Sequence, residues 1–167
     1  RQEVTLPDGY RTSFGIGTSS AELWERFGHR WIRRMRRDAS DVALRIDVDY
    51  SENMLHNLSD GLLDIGVMYQ PRSSPGLIVE RLTEQRLVLV STKPCDVEDD
   101  WKSDYVFIDW GYNYRLQHYD TYPEMAKPSV SLNLGDTGIR YLLAMGGAAY
   151  VTSSQARPHI ADGRLHR

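Results

Sequence analysis

The chain has 167 residues, of which 41% are hydrophobic and 26% charged, a composition typical of a soluble globular protein with one core or two small lobes. A formal net charge of -3 gives no electrostatic reason to expect that this chain alone binds nucleic acid. The single cysteine, Cys95, excludes an internal disulfide and a cysteine-based metal cluster. No apolar run approaches the roughly 20 residues of a membrane span, and the first residues contain no signal-peptide core. We therefore expect a protein without membrane contact, in a reducing compartment.

The first half of the chain predicts strands that alternate with helices. A strand is expected over Arg11–Gly17, and Ser19 begins an S-x-x-E capping box at the start of an amphipathic helix. Val42–Val48 alternates as a strand, and Ser51 is expected to cap a second helix. The run Leu62–Met68 predicts a central strand that is buried on both faces. This β-α-β-α-β order predicts a parallel sheet with helical crossovers.

Beyond Pro71 the pattern changes. Two apolar runs, "LIVERL" and "QRLVLVST", lead to the strand "YVFIDWG" and a short helix in "NYRLQHYDTYP". The strand "SVSLNL" precedes a helix in "GDTGIRYLLAMGG", with Asp136 at its cap and a glycine pair at its end. The strand "AAYVT" and a helix or turn in "SSQARPHIADG" follow. Two β-α-β sets on either side of residues 80–90 predict two α/β lobes.

Candidate binding residues follow from the topology, because ligands of open α/β sheets lie beyond the carboxyl ends of the strands. This rule selects Thr18, Ser19, Ser20, Ser51, Met68 and Tyr69 in the first half, and Asp109, Trp110 and Thr137 in the second. Hydroxyls at a helix start predict an anion site. Trp110 and the tyrosines that follow it (Tyr112, Tyr114, Tyr119 and Tyr122) predict an aromatic wall for a planar ligand or a cation.

Each of these candidates also has a purely structural interpretation. Ser19, Ser51 and Asp136 can simply cap their helices. Packing of the small second lobe explains the tyrosines better than ligand binding does. The arginine-rich segment Arg30–Arg37 lies on the polar face of an amphipathic helix, and a solvated face explains it better than a nucleic-acid site.

No catalytic or metal site emerges from the sequence. The five histidines lack ligand spacing and none completes a Ser-His-Asp set. Cys95 has no resolving partner for redox sensing. We therefore predict neither an enzyme nor a cofactor.

Several motifs in one order carry a family resemblance. The pattern L-x-x-G-x-L-D-I-G-V spans Leu58–Val67, "LVLV" follows it, and Gly146-Gly147 precedes a strand. In this order residues 11–167 resemble the effector-binding domain of LysR-type transcriptional regulators. The resemblance implies an α/β fold like that of type 2 periplasmic binding proteins, with two Rossmann-like lobes joined by hinge strands around a ligand cleft. It also implies a linker remnant at 1–10, lobe I at 11–85 and 153–167, and lobe II at 86–152.

The resemblance further implies the sensor half of a bacterial regulator in the cytoplasm. A small-molecule effector, a carboxylate or an aromatic compound, would bind between the lobes and control DNA binding through an N-terminal winged helix-turn-helix that this chain lacks. A homodimer or tetramer is implied, with Arg34 or Arg37 pairing across a two-fold interface against residues 138–146 of a second subunit. The chain also ends at "RLHR", where the family continues with a further strand and helix, which implies either a truncated chain or a disordered tail. A solute-binding protein of the same fold that feeds a transporter is the alternative, and an enzyme on this fold is a third.

Overall fold

The computed structural model describes residues 6–69, 71–94, 100–133 and 135–167. Cys95 and residues 1–5 of the predicted linker lie outside this description. The first half contains β1 (Thr12–Thr18), α1 (Ala21–Leu23), a π-helical turn (Trp24–Gly28), α2 (His29–Asp38), β2 (Val42–Val48), α3 (Ser51–Ser59) and β3 (Ile65–Val67). The second half contains β4 (Leu87–Ser91), β5 (Phe107–Ile108), α4 (Tyr112–Thr121), β6 (Ser131–Leu132), α5 (Gly135–Met145), β7 (Ala148–Thr152) and α6 (Ser153–Ala161). Short 3₁₀ turns lie at Asp100–Lys102 and Pro123–Met125.

The chain divides into two compact units, Arg1–Val79 and Glu80–Arg167. Residues 153–167 belong to the second unit in this structure, where α6 contacts β4 and β7. The assignment of this segment to lobe I stays a prediction. The alternation of helices and strands confirms the predicted α/β class.

The first unit is built on a parallel sheet in the order β2-β1-β3, as the β-α-β-α-β pattern predicts. Its central strand is β1, and small residues on that strand allow a helix to come close. A Cβ on Gly17 would lie 2.6 Å from the Sδ atom of Met54, a fully buried residue of α3. The sheet and α3 therefore share one core that a larger residue at position 17 would disrupt.

The helix that follows β1 departs from the prediction in two ways. It is one helical segment with a π turn at Trp24–Gly28, where the ring of Trp24 lies on Gly28. Its N-cap is Ser20 rather than Ser19, because the Ser20 Oγ accepts a hydrogen bond from the amide of Leu23 at 3.2 Å. The capping box predicted from Ser19 is therefore wrong.

The predicted central strand Leu62–Met68 is shorter and more exposed than expected. Its regular part is Ile65–Val67, an edge strand of the described sheet, and Ile65 is 43% exposed. Asp64 lies at the entry end of this strand, and its Oδ2 accepts a hydrogen bond from the amide of Gly15 at 2.8 Å. The amide of Asp64 donates in turn to the Gly15 carbonyl at 3.0 Å. Asp64 thus fixes the register of β3 against β1.

The second unit combines an antiparallel pair, β4 with β7, and a parallel pair, β5 with β6. An isolated bridge between Tyr105 and Ala148 joins the two pairs. The core is aromatic: Trp101, Tyr105, Phe107 and Met125 are buried, with Tyr114, Tyr119, Tyr122 and Tyr150 packed around them. No helix in the described part of the chain has the length and apolar character needed to cross a membrane.

Candidate functional site

The predicted hydroxyl cluster of the first unit lies at the carboxyl end of β1. The Thr18 hydroxyl donates to the Ser20 carbonyl at 3.0 Å and accepts from the Ser20 amide at 3.3 Å, so the turn closes on itself. Thr18 and Ser20 are both buried. The amide of Ser19 donates to the Val67 carbonyl at 3.0 Å, which ties the turn to the end of β3. Two strand ends and one helix start therefore converge at this turn.

Ser19 differs from its neighbours, because its hydroxyl oxygen is buried and has no hydrogen-bond partner among the described residues. An unsatisfied buried hydroxyl costs about 1–3 kcal/mol relative to one that is paired. Native structures rarely keep such a group without a reason, and contact with a ligand or ion is one such reason. The Ser19 hydroxyl is thus a polar group at a strand end that lacks a partner within the described structure.

Tyr69 joins the same cluster from β3. Its hydroxyl lies 3.4 Å from the Ser20 Oγ. Met68 and Tyr69 are half-buried just beyond the end of β3, as the sequence predicts for the carboxyl end of a parallel strand. The structure therefore brings Thr18, Ser20 and Tyr69 together from positions 49 to 51 residues apart.

Ser51 follows the end of β2 and does not cap α3. The N-cap is Tyr50, without a side-chain cap hydrogen bond, so the predicted Ser51 cap is wrong and Ser51 is the first residue of the helix. The amide of Asp49 donates to the Thr18 carbonyl at 3.1 Å, and the Asp49 Oδ1 accepts from the amide of Tyr50 and the side chain of Asn53. Asp49 belongs to the same strand end, and its position directly after β2 was the signal that could have selected it; the strand-end rule does select Tyr50 together with Ser51.

The candidate residues of the second unit are largely engaged in that unit's own structure. Asp109 accepts a hydrogen bond from the Gly111 amide at 2.9 Å and pairs with Arg115 at 3.4 Å. Trp110 is 4% exposed, and its indole Nε1 donates to the Tyr150 carbonyl at 2.8 Å. The structure thus gives both residues a packing or bonding role, while their effector contacts stay predictions.

The start of α5 also differs from the prediction. The helix begins at Gly135, so Asp136 lies inside the first turn and is not the cap. Its Oδ1 accepts a hydrogen bond from the Gln155 amide group at 2.7 Å. Thr137 is exposed on the same turn and stays a candidate for ligand contact.

The four tyrosines that the sequence suggests as an aromatic wall of a ligand site mainly form the core of the second unit. Tyr114, Tyr119 and Tyr122 pack on the buried aromatic cluster, which supports the packing interpretation, and only Tyr112 is exposed among the four. Burial raises the pKa of Tyr105 to about 12 and also raises the pKa of Tyr114. These phenols therefore stay neutral and are structural groups rather than acids or bases.

His118 sits inside this aromatic cluster. Its Nε2 lies 2.7 Å from the Tyr105 hydroxyl and its ring stacks on the Tyr105 ring. Burial lowers the pKa of His118, because the charged ring would lose its hydration. This agrees with a structural role for the histidine. The described residues include no group of three or more His, Cys, Asp or Glu side chains that is arranged to hold a metal ion.

A sequence model of one family, described as the LysR substrate binding domain, matches residues 13–167. The chain belongs to this family. LysR substrate-binding domains are the regulatory, effector-binding part of LysR-type transcriptional regulators and have the type 2 periplasmic-binding-protein-like α/β fold. Both the predicted family and the predicted fold are therefore confirmed, and the family favours a regulator over a transporter-linked solute-binding protein. A comparison of the sequence with curated proteins gives no match.

Solved structures of other regulators resemble this LysR substrate-binding domain. The regulatory domain of CcmR from Synechocystis PCC6803, in complex with 2-PG, has a TM-score of 0.66 at 10% identity, over 93% of this chain and 79% of that one. The bromide-bound regulatory domain of HypT from Salmonella typhimurium has a TM-score of 0.67 at 15% identity, over 98% and 81%. The H2O2-bound OxyR C206S mutant from Corynebacterium glutamicum has a TM-score of 0.62 at 19% identity, over 94% and 53%. The TM-scores show a shared fold, and at these low identities the comparison shows the fold alone. The domain spans about half of that OxyR chain.

Proposed function

We propose that this domain is an effector sensor whose ligand binds at the carboxyl ends of the parallel strands of the first unit. The observation that carries the proposal is the buried, unpartnered hydroxyl of Ser19. Ser19 lies between Thr18 and Ser20 in the turn, and the Ser20 Oγ lies 3.4 Å from the Tyr69 hydroxyl. A ligand oxygen there would supply the partner that Ser19 lacks.

The ligand class that suits this turn is a small anion, with a carboxylate as the leading candidate. Hydroxyl donors at a helix start favour negative charge, because the helix dipole adds to their hydrogen bonds. The HypT regulatory domain is bromide-bound, and bromide is an anion that such a site would accept. Asp49 follows β2 directly, and its Oδ1 already accepts hydrogen bonds from the Tyr50 amide and the Asn53 side chain. An aromatic compound with a carboxylate stays within the proposal, with Trp110 and Thr137 as its predicted contacts.

The proposed mechanism is a shift between two arrangements of the protein. Bound effector would favour one arrangement of the protein over another, provided that its affinity for the two differs. A homodimer or tetramer in the cytoplasm would pass this difference to a DNA-binding domain outside this chain. Binding alone suffices for this role, so the domain acts without turnover of its ligand.

A thermal-shift screen with matched acids and amides tests the ligand class. A ligand that binds only the folded state raises the melting temperature, so acids should stabilise the chain where their amides do not. Ser19→Ala should then weaken the strongest acid by roughly tenfold, the loss of one hydrogen bond to a charged group. Ser59→Ala is the control, because that hydroxyl is exposed and donates to the Leu55 carbonyl within α3.

Two outcomes would contradict the proposal. One is stabilisation by amines and amides with no response to acids. The other is an acid that binds wild type and Ser19→Ala with equal affinity, which would place its site elsewhere. If the acid binds as expected but leaves DNA binding by the complete regulator unchanged, the switch mechanism fails while the site stands.

A further inference from the structure

The helix that follows the hydroxyl turn (residues 18–20) holds one surplus residue. Its two α-helical parts, Ala21–Leu23 and His29–Asp38, are separated by the π turn Trp24–Gly28. A π turn bonds each carbonyl to the amide five residues on instead of four, so it takes about one residue more than an α-helical turn. Such turns are rare and are frequently found at functional sites. This one lies directly between the hydroxyl turn and α2.

Contacts on either side of the π turn hold the two α-helical parts in place. Before it, Leu23 is buried, and Ser20 caps the helix by accepting a hydrogen bond from the Leu23 amide. After it, the ring of Trp31 packs on the ring of Phe14 in β1 at 5.8 Å between centroids. In a regular α-helix, one extra residue between these contacts would rotate one part against the other by about 100°. The π turn absorbs that residue, so Ser20 and Trp31 both keep their positions.

The side chains of the π turn fit around it. The ring of Trp24 lies over Gly28, where a Cβ would come within 2.4 Å of ring atoms, and it meets the His29 ring edge-on at 6.1 Å between centroids. Gly28 has ordinary helical angles, φ -64° and ψ -44°, so no backbone requirement explains the glycine. Because glycine is a poor helix former, the space that it leaves for the Trp24 ring is its physical reason. The contact between Trp24 and Gly28 therefore stabilises the π turn.

A single carbonyl joins the π turn to the hydroxyl turn. The Ser20 carbonyl accepts from the Trp24 amide at 3.1 Å and from the Thr18 hydroxyl at 3.0 Å. Trp24 is the first residue of the π turn, and Thr18 closes the hydroxyl turn around Ser19. A change in the helical register at Trp24 therefore reaches the residues on both sides of Ser19 through one hydrogen-bonded group.

Conversion of the π turn to α-helix would disturb the hydroxyl turn. With α2 held on the sheet, the surplus residue would leave the π turn toward the start of the helix, and each preceding residue would move by one position. Ala21 would then take the cap position of Ser20, and it has no side-chain oxygen with which to cap. The hydroxyl turn with Ser20 as the cap thus belongs to the π form of the helix, and an α form differs from it by one residue of register.

We propose that the π turn is a register switch that couples the hydroxyl turn to α2. The inference rests on the effector site proposed at Ser19. An acid that pairs with the Ser19 hydroxyl while Ser20 caps the helix binds the π form more tightly than the α form. Binding therefore shifts the helix toward the π form, by as much as the two affinities differ. Release of the acid frees the surplus residue to move.

Amide hydrogen exchange of the 167-residue chain measures the switch, with and without the strongest acid from the thermal-shift screen. The acid's own contact is first located by amide NMR shifts at residues 18–20. At roughly one hundred times its Kd, an acid that binds only the π form should slow exchange at residues 24–29 by up to about a hundredfold. Residues 42–48 of β2 are the reference, because their exchange reports opening of the sheet.

Deletion of Arg26 should lock the switch. It removes an exposed residue of the π turn and leaves one continuous α-helix with Ser20 as its cap. This variant should bind the acid as wild type does and exchange slowly at residues 24–29 with or without acid. Deletion of Arg33 is the matched control, because it removes an exposed arginine from the regular part of α2. It should lower the melting temperature far more than deletion of Arg26, since no surplus residue there makes up for the loss.

Gly28→Ala tests the switch without a change of chain length. The added methyl group would displace the Trp24 ring and disfavour the π form. The acid should therefore bind roughly tenfold more weakly, although residue 28 does not belong to the hydroxyl turn.

The effector site and the switch fail in different ways. If no acid shifts the amides of residues 18–20, the effector site is wrong and the switch with it. If an acid binds there but protects residues 24–29 no more than β2, or binds Gly28→Ala as tightly as wild type, the effector site stands and the switch is wrong. Equal losses of melting temperature in the two deletion variants would also overturn the switch, because the π turn would then hold no surplus residue.

Discussion

The candidate residues at the strand ends of the two units differ in how they are hydrogen-bonded. In the first unit the strand ends carry hydroxyls, and one of them, Ser19, is buried without a partner among the described residues. In the second unit the corresponding residues are satisfied internally, as Trp110 is by the Tyr150 carbonyl and Asp109 by Arg115 and the Gly111 amide. The difference shows that a position at a strand end does not by itself identify a ligand contact. At the strand ends, Ser19 stands apart from Asp109 and Trp110 because its polar atom is left unsatisfied; the buried Arg115 Nε, His118 Nδ1 and Gln155 Oε1 of the second unit also lack partners in the described structure.

The largest expected effect comes from removing an internally satisfied residue of the second unit. Trp110→Ala should lower the free energy of unfolding by about 3–5 kcal/mol, because it deletes a buried ring and leaves the Tyr150 carbonyl without its donor. Tyr112→Ala is the control, since that ring is 44% exposed, and it should cost little. Urea denaturation followed by circular dichroism measures both. Equal losses of unfolding free energy in the two variants would mean that Trp110 does not stabilise the core of the second unit.

A smaller effect is expected at the helix cap of the first unit. Ser20→Ala should cost about 1 kcal/mol, because the Ser20 Oγ accepts from the Leu23 amide at the start of α1. Ser19→Ala should leave stability unchanged or raise it slightly, since it removes a hydroxyl that makes no hydrogen bond in the described structure. Thermal and urea unfolding of the two variants check the contrast. A greater loss from Ser19→Ala than from Ser20→Ala would restore the capping box that the sequence predicted.

The smallest expected effect is a pH dependence in the second unit. Burial lowers the pKa of His118 in the folded state, while the unfolded chain titrates near the ordinary histidine pKa of about 6.5. The unfolded state therefore binds more protons, so this contribution to stability is full above about pH 6.5 and is lost as the pH falls through the folded pKa. Comparison of unfolding free energies for wild type and His118→Gln across this range, with His29→Gln as control, measures it. If the free energies of unfolding of wild type and His118→Gln changed with pH in parallel, His118 would not be the cause of the pH dependence.

The fold was accessible from the sequence because its signals are periodic and local. Alternation in Val42–Val48 and the small Gly17 on β1 match the strands that the structure contains. The helix start was predicted wrongly because two neighbouring residues there have the same ability to cap a helix. Ser19 and Ser20 can both cap a helix, and only the tie from the Ser19 amide to the Val67 carbonyl leaves Ser20 as the cap.

The candidate site was only partly accessible from the sequence. Topology places Thr18, Ser20 and Tyr69 at strand ends, and the structure joins them. The burial of Trp110 was not accessible, because it depends on Gly135, at which a Cβ would collide with the indole ring. The unsatisfied state of the Ser19 hydroxyl was likewise invisible, since satisfaction of a hydroxyl is a property of packed atoms and not of sequence spacing.

Effector binding at the hydroxyl turn is tested most directly by an amide NMR titration of the chain with the strongest acid from the thermal-shift screen. An effector site there predicts saturable shifts at residues 18–20, 51 and 68–69, with the largest change at Ser19. It also predicts a loss of those shifts in Ser19→Ala while the aromatic core of the second unit stays unperturbed. Saturable shifts that centre on Tyr114, Tyr119 and Tyr122 and persist in Ser19→Ala would contradict it, because the ligand would then bind in the second unit, away from the hydroxyl turn.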